Sequence, residues 1–401
     1  QGQYYNQNSV NNHYHGQQLN ADNKLCNNIT YNKNEFNDIN NNVNNKLNNR
    51  FMSNQNINEY LKNEVVKSDN SLPDNEPNEE NLLGNDSSIF DFYKKTVGKI
   101  FLDNIRQKNG SKMAQIYLSK CNELSINEFF QKVKKHLTSL MDNKYSNFLM
   151  RKLIIKLETS QRMQFLNAIK PQILTLCKHP LGNRTIQELV KSMTTNEEEA
   201  YFIELISNNY ESLIYNKAGN YVLPVVMKNF KIENLHSLIF YIFVNLLNIC
   251  TDVNGIVLIN SFLLRIKTSD LEYYKKKILN IFSKNLVNLV TDKVSYFCMA
   301  YIIDNWDISE YIELVSYIQE NIELFACKSF GVKFVRKIID LKNTSLNKVF
   351  CWNCIQNINS YKCFFSFKVS NKLFFSILEN LEDETLNNYY NFINESLKEE
   401  T

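Results

Sequence analysis

Asn183 and Gln187 stand four residues apart in HPLGNRTIQELV, with Arg184 beside the first of them; Ser111 and Gln115 stand four apart in NGSKMAQIYL, beside Lys112. Residues four apart share one face of a helix, so each pair can jointly hydrogen-bond the edge of one flat polar ring, such as an unstacked nucleobase. A neighbouring guanidinium or aromatic ring can stack on the same kind of partner, a contact worth about 1 to 3 kcal/mol per base. Taken singly, these residues also suit a plain solvated helix start, because Asn is a favoured cap and Arg and Gln are good helix formers.

Other chemistry is poorly supported. The five histidines, at 13, 15, 136, 179 and 236, have no nucleophile, carboxylate pair or metal-ligand spacing around them. No phosphate-cradling glycine loop is present. The pair Cys351 and Cys354 in CWNC lacks the second pair or spaced histidine that zinc requires, and reads as two small apolar residues on one buried helix face. Neither catalysis nor a cofactor is expected. Runs such as KVKKHL and YYKKKIL read as solvated helix faces, with phosphate contact as the alternative.

The elements that must hold these residues follow from composition. Across 401 residues, 45 Lys plus Arg stand against 42 Asp plus Glu, for a net charge of +3. Bulk charge therefore gives no nucleic-acid signal, and any such case rests on local pattern. Nine cysteines form an odd and sparse set, which points to reduced thiols inside the cell rather than a disulfide scaffold. The longest apolar run, residues 238–250, includes Asn245 and Asn248 and is too short to span a bilayer, so no membrane partner is expected. The first residues, QGQYYNQNSV, lack the features of a secretory signal, and the missing initial methionine leads us to expect residues upstream.

Residues 1–86 are dominated by asparagine and lack an apolar period, so they cannot offset the entropy of ordering a backbone and are expected to be a disordered tail. From residue 87 to 401 the pattern becomes helical, as in DISEYIELVSYIQENIELFA. Five of the nine glycines in the chain sit in one recurring box: NGSKMAQIYL, LGNRTIQELV, AGNYVLPVVM, NGIVLINSFL and FGVKFVRKII. Three more boxes, YSNFLMRKLI, VSYFCMAYII and VSNKLFFSIL, carry serine instead. Aligned on Gly110, Ser146, Gly182, Gly219, Asn254, Ser295, Gly331 and Ser370, they recur after 36, 36, 37, 35, 41, 36 and 39 residues. Such periodicity predicts an all-α solenoid of eight three-helix units, each too small to bury its apolar face alone. The small residue admits a tight turn or close approach.

Eight boxes of this spacing opening GNR..Q, GNY and GSK..Q resemble the pumilio, or Puf, family of RNA-binding repeat proteins. The resemblance covers residues 87–401. It implies a crescent whose concave face is lined by the box helices, with single-stranded RNA running antiparallel along it and one base seated per repeat. It also implies that Asn183 with Gln187 reads uracil and Ser111 with Gln115 reads adenine.

Several boxes depart from that pattern. The edge positions hold Asn147 with Arg151 in the second unit, Asn220 with Pro224 in the fourth and Gly255 with Ile259 in the fifth. They hold Tyr296 with Ala300 in the sixth, Val332 with Arg336 in the seventh and Asn371 with Phe375 in the eighth. The stacking position holds Lys112, Phe148, Arg184, Tyr221, Ile256, Phe297, Lys333 and Lys372. From the resemblance we expect a monomer that binds messenger RNA in its 3′ untranslated region and regulates translation or stability in the cytoplasm, with regulatory proteins bound by the tail or convex face. The alternatives are a nucleolar protein acting on precursor ribosomal RNA, or a protein-binding scaffold for which Ile259, Val332 and Phe375 would supply an apolar inner face.

Overall fold

A computed structural model describes residues 86–267, 271–341, 344–356 and 368–381, together with 364, 386, 387 and 390. The chain divides into two units, Gln1–Gly84 and Asn85–Thr401. The tail expected at residues 1–86 lies outside the described residues except for Asp86, which opens the helix Asp86–Lys95. Every regular element among the described residues is helical.

The boxes open a set of helices that we number α1 to α8: Lys108–Lys120 (α1), Ser146–Lys156 (α2), Gly182–Ser192 (α3), Val222–Asn229 (α4), Gly255–Lys267 (α5), Tyr296–Asn305 (α6), Ser329–Ile339 (α7) and Lys368–Leu378 (α8). Each packs against the next, from α1 through α8, in one unbroken row. Before each of the first seven boxes comes a longer helix or helical stretch and a short one. In the third unit these are Thr159–Ile169 and Ile173–Lys178, joined through the 3-10 turn Lys170–Gln172. The longer helices form a second row: Thr159–Ile169 packs on Asn196–Ile206, and Glu272–Lys284 on Ile308–Glu320, which packs on Thr344–Gln356.

Local sequence explains these boundaries. Thr195 and Glu198 form a reciprocal capping box at the start of Asn196–Ile206, and Asp307 with Glu310 does the same for Ile308–Glu320. Pro224 has no N–H to return to the Asn220 carbonyl; the fourth box accordingly opens as a 3-10 turn, Gly219–Tyr221, before α4 begins.

Between the two rows runs a core of fully buried Phe, Leu and Ile, including Phe130, Phe165, Phe202, Phe262, Phe282 and Phe334. Polar contacts tie successive units at separations near the repeat length. Arg162 Nε meets Glu198 Oε1 at 2.6 Å, with both side chains buried, and Lys275 Nζ meets Glu310 Oε1 at 2.6 Å. Burial works to raise the Glu198 carboxyl, yet the Arg162 guanidinium and the Thr194 and Thr195 N–H groups outweigh it and hold the pKa below the ordinary value.

Cys351 and Cys354 lie on Thr344–Gln356 and are fully buried, as expected for apolar packing. Burial pushes the Cys351 thiol up to about 12. Among the described residues no group of His, Cys, Asp and Glu is placed to hold a metal, and no helix is long and apolar enough to cross a membrane.

Candidate functional site

In the boxes from Gly110 to Gly331 the small residue is set by a close approach, whereas Ser370 Oγ in the eighth donates to the Ala326 carbonyl of the preceding unit. A Cβ added at Gly182 would stand 3.0 Å from the Leu176 carbonyl oxygen, six residues back; at Gly255 it would stand 2.6 Å from that of Ile249, and at Gly331 2.3 Å from that of Phe325. Serine solves the same contact differently. Ser146 Oγ donates to Leu140 O at 2.7 Å and Ser295 Oγ to Leu289 O at 2.8 Å, again six residues back. Glycine yields space to the carbonyl, and serine satisfies it.

A second device, which the sequence reading missed, sits three residues before the small residue. Asn143 Oδ1 accepts the N–H groups of Tyr145 and Ser146, Asn216 Oδ1 those of Ala218 and Gly219, Asp252 Oδ1 those of Asn254 and Gly255, and Asp292 Oδ1 those of Val294 and Ser295. His179 Nδ1 does this for Leu181 and Gly182, at 3.3 and 3.1 Å. These are Asx-type turns that fix the entry angle of each box helix. The signal was present in sequence as N or D, two residues, then S or G.

Together these contacts correct the fifth unit. Gly255, rather than Asn254, occupies the small-residue position, since it carries both the carbonyl contact and the Asp252 cap. The edge positions there are therefore Ile256 and Asn260, with Val257 at the stacking position, in place of Gly255, Ile259 and Ile256. Ile259 is fully buried in the core and Val332 is 2% exposed. An apolar inner face built on those two residues is lost; Phe375, at 57% exposure, remains on the surface.

The first edge residues of α1 to α3 and of the fourth box, Ser111, Asn147, Asn183 and Asn220, are all buried at equivalent places along the row. Gln187 Nε2 donates to Asn183 Oδ1 at 3.0 Å, and Gln115 Nε2 to Ser111 Oγ at 3.3 Å, so in both units the two residues form one hydrogen-bonded pair. Ser111 Oγ also donates to the Tyr145 carbonyl of the next unit. Asn147 Nδ2 is committed to the carbonyls of Asn143 and Lys144. Asn220 Nδ2 faces Asn254 Oδ1 at 3.4 Å, while Pro224 offers no donor.

Arg151 departs from the simple edge role. Its guanidinium lies 4.6 Å from the Phe148 ring centroid, covering one face of a ring expected to stack. Burial lowers its pKa, with Glu188 opposing that shift and Arg184 adding to it. Of the other stacking residues, Lys112, Tyr221 and Phe297 are half-buried, while Arg184, Lys333 and Lys372 are exposed. Arg336 is exposed and Asn371 half-buried.

No family model matches the chain. It is 19% identical over 264 residues to a pumilio domain-containing protein of Schizosaccharomyces pombe, a match covering 64% of this chain and 38% of that protein. A second such protein from the same organism is 23% identical over 133 residues, 33% of this chain and 17% of the relative. Pumilio homolog 12 of Arabidopsis thaliana is 27% identical over 129 residues, 31% of this chain and 22% of the relative. The chain thus spans well under half the length of these relatives.

Among solved structures, a Puf4 mutant bound to a Cox17 RNA 3′ UTR recognition sequence superposes with a TM-score of 0.64 at 18% identity, covering 76% of this chain and 94% of that one. PUF-8 in complex with PBE-RNA gives 0.61 at 12% identity, covering 77% and 88%. The RNA-binding domain of yeast Puf5p bound to MFA2 RNA gives 0.55 at 17%, covering 73% and 86%.

Proposed function

Starting from a chain with the Puf α-solenoid fold and pumilio proteins among its relatives, we propose that it binds single-stranded RNA along the row α1 to α8 and acts without catalysis. The observation that carries this reading is the pair Asn183 and Gln187, bonded at 3.0 Å at the opening of a helix packed between two others of the same design. Ser111 with Gln115, Asn147 with Arg151, Asn220, Arg336 and Asn371 are the further base-edge residues of the proposal. Lys112, Phe148, Arg184, Tyr221, Phe297, Lys333 and Lys372 are its stacking residues. The targets we propose are messenger RNAs, read in their 3′ untranslated regions in the cytoplasm, with translation or stability as the outcome and other proteins recruited outside the RNA row.

RNA selection with the full chain tests this. A short linear motif is the expected result, with N183A/R184A/Q187A weakening its binding at least about tenfold, given the worth of one stacked and edge-read base. Unchanged affinity in that variant overturns the reading. Action on precursor ribosomal RNA is the second reading. It is favoured by the apolar first edge positions of α5 and α7, Ile256 and Val332, and salt-sensitive binding with no enriched motif would select it.

A further inference from the structure

The edge positions of α6 and α7 hold Tyr296 with Ala300 and Val332 with Arg336; Ala300 and Val332 are buried, so of the four only Tyr296 and the exposed Arg336 can reach a base, and neither has a paired edge partner at the surface. Around them lies a surface of another character. Tyr296 meets Phe297 with ring centroids 5.4 Å apart and meets Phe330, across the unit boundary, at 5.3 Å. Lys333 Nζ sits 4.5 Å from the Phe330 centroid. Phe297, Tyr296 and Phe330 are half-buried, while Lys333 and Arg336 are exposed.

Cations are crowded here. Burial lowers the pKa of Lys293, and the Lys333 charge lowers it further. Lys337, one turn along α7, is neutralised by Asp304 at 2.5 Å; among the described residues neither Lys333 nor Arg336 forms an ion pair. Aromatic faces interleaved with cations, beside slots that cannot read an edge, are the chemistry of a single-strand platform in which bases stack and phosphates are neutralised whatever the sequence.

We propose that α6 and α7 form a sequence-blind clamp on single-stranded RNA, in which a base stacks on Phe297 while Lys333 and Arg336 hold the phosphates on either side. The clamp rests on the RNA-binding reading above and adds to it a division of labour. Base choice belongs to edge-reading units such as α1 and α3; at α7 the clamp gives Arg336 to phosphate in place of the base edge proposed above, so that α6 with α7 supply affinity without choice.

The test uses the full chain and labelled oligomers of uridine, adenosine or cytidine, about twelve nucleotides long, with binding followed by fluorescence anisotropy between roughly 50 and 200 mM KCl. F297A should weaken all three oligomers by the same factor, about tenfold. F297L, which keeps the apolar packing and removes the π face, should do likewise, separating stacking from folding. K333Q/R336Q should flatten the dependence of log affinity on log salt by roughly 1.4, or about 0.7 per charge; a shift in base preference in R336Q instead would return Arg336 to an edge role and overturn the clamp.

Variants at Phe297 and Lys333 that leave affinity and salt slope intact overturn the clamp, as does a changed preference among the three oligomers. If Q187A still weakens binding in that case, RNA recognition stands and only the clamp falls. If the unaltered chain binds no oligomer, the underlying reading falls with it. Stronger retention of a polyglutamate peptide than of any oligomer would assign the surface to acidic protein and also overturn the clamp.

Discussion

The first edge position holds Ser111, Asn147, Asn183 and Asn220 in the N-terminal four units and Ile256, Tyr296 and Val332 in the next three. The position is buried in both regions, apart from the half-buried Tyr296. Isoleucine and valine therefore show what packing alone accepts there. Burying an amide at such a site costs about 1 to 3 kcal/mol unless its hydrogen bonds are made. Some of the N-terminal polarity has local work: Ser111 bonds the Tyr145 carbonyl, and Asn147 bonds two carbonyls of its own turn. Asn183 is bonded through Oδ1 to a partner, Gln187, that is itself at the surface of the row. Packing does not call for a polar pair there, which supports the proposed placement of base reading in the N-terminal region.

The contrast extends to the second row, where the largest effect is expected. Arg162 and Glu198 are buried, whereas Lys275 and Glu310 keep 13% and 23% of their side-chain surface. Glu198→Gln leaves a buried guanidinium without its counter-charge and should cost about 3 to 5 kcal/mol in chemical denaturation. Glu310→Gln, discounted for solvent, should cost about 1 kcal/mol. Equal losses would remove the distinction. Because the Glu198 carboxyl is held below its ordinary value, its contribution is present above about pH 4.3 and is lost as the pH falls through the lowered folded value. Acid titration of wild type against Glu198→Gln should show the two stabilities converging there.

An intermediate effect is expected from giving α7 the chemistry of α3. The double substitution V332N/R336Q buries an amide where valine sits at 2% exposure, so the denaturation midpoint should fall by an amount equivalent to about 1 to 3 kcal/mol. Binding to uridine, adenosine and cytidine oligomers should at the same time acquire a preference that the unaltered chain lacks at this unit. A stable variant with no new preference would show that the two helices present different surfaces.

The smallest effect separates the one histidine cap from its counterparts. His179→Ala removes the acceptor for the Leu181 and Gly182 N–H groups and should cost about 1 kcal/mol in thermal unfolding. His179→Asn, which installs the residue used at Asn143 and Asn216, should leave stability within experimental error. A loss in the asparagine variant equal to that in the alanine variant would mean that the ring does something besides capping.

Much of this was legible from residues. The box spacing gave the solenoid, because a contact made once per unit recurs once per unit, and the glycines mark it. The fifth unit was misaligned by one residue because Asn254 and Gly255 adjoin and both are small or turn-forming. The Asp252 cap resolves them, but its meaning depends on a hydrogen bond that composition does not display. Inner-face exposure was the other weak point. Ile259 and Val332 occupy positions whose burial depends on packing between box helices, which no single helix pattern contains. Arg151 folding over Phe148 was likewise hidden, since it depends on side-chain conformation rather than order along the chain.

From Gly110 to Gly331, the contact between the small residue and the carbonyl six positions earlier closes within a single unit, as do the five caps three positions before it. Both can form in a short stretch of chain with little loop-closure entropy to overcome. Native contacts of such short range are those of rapidly folding helical proteins, and in a linear array any unit can serve as the starting point from which order spreads to its neighbours.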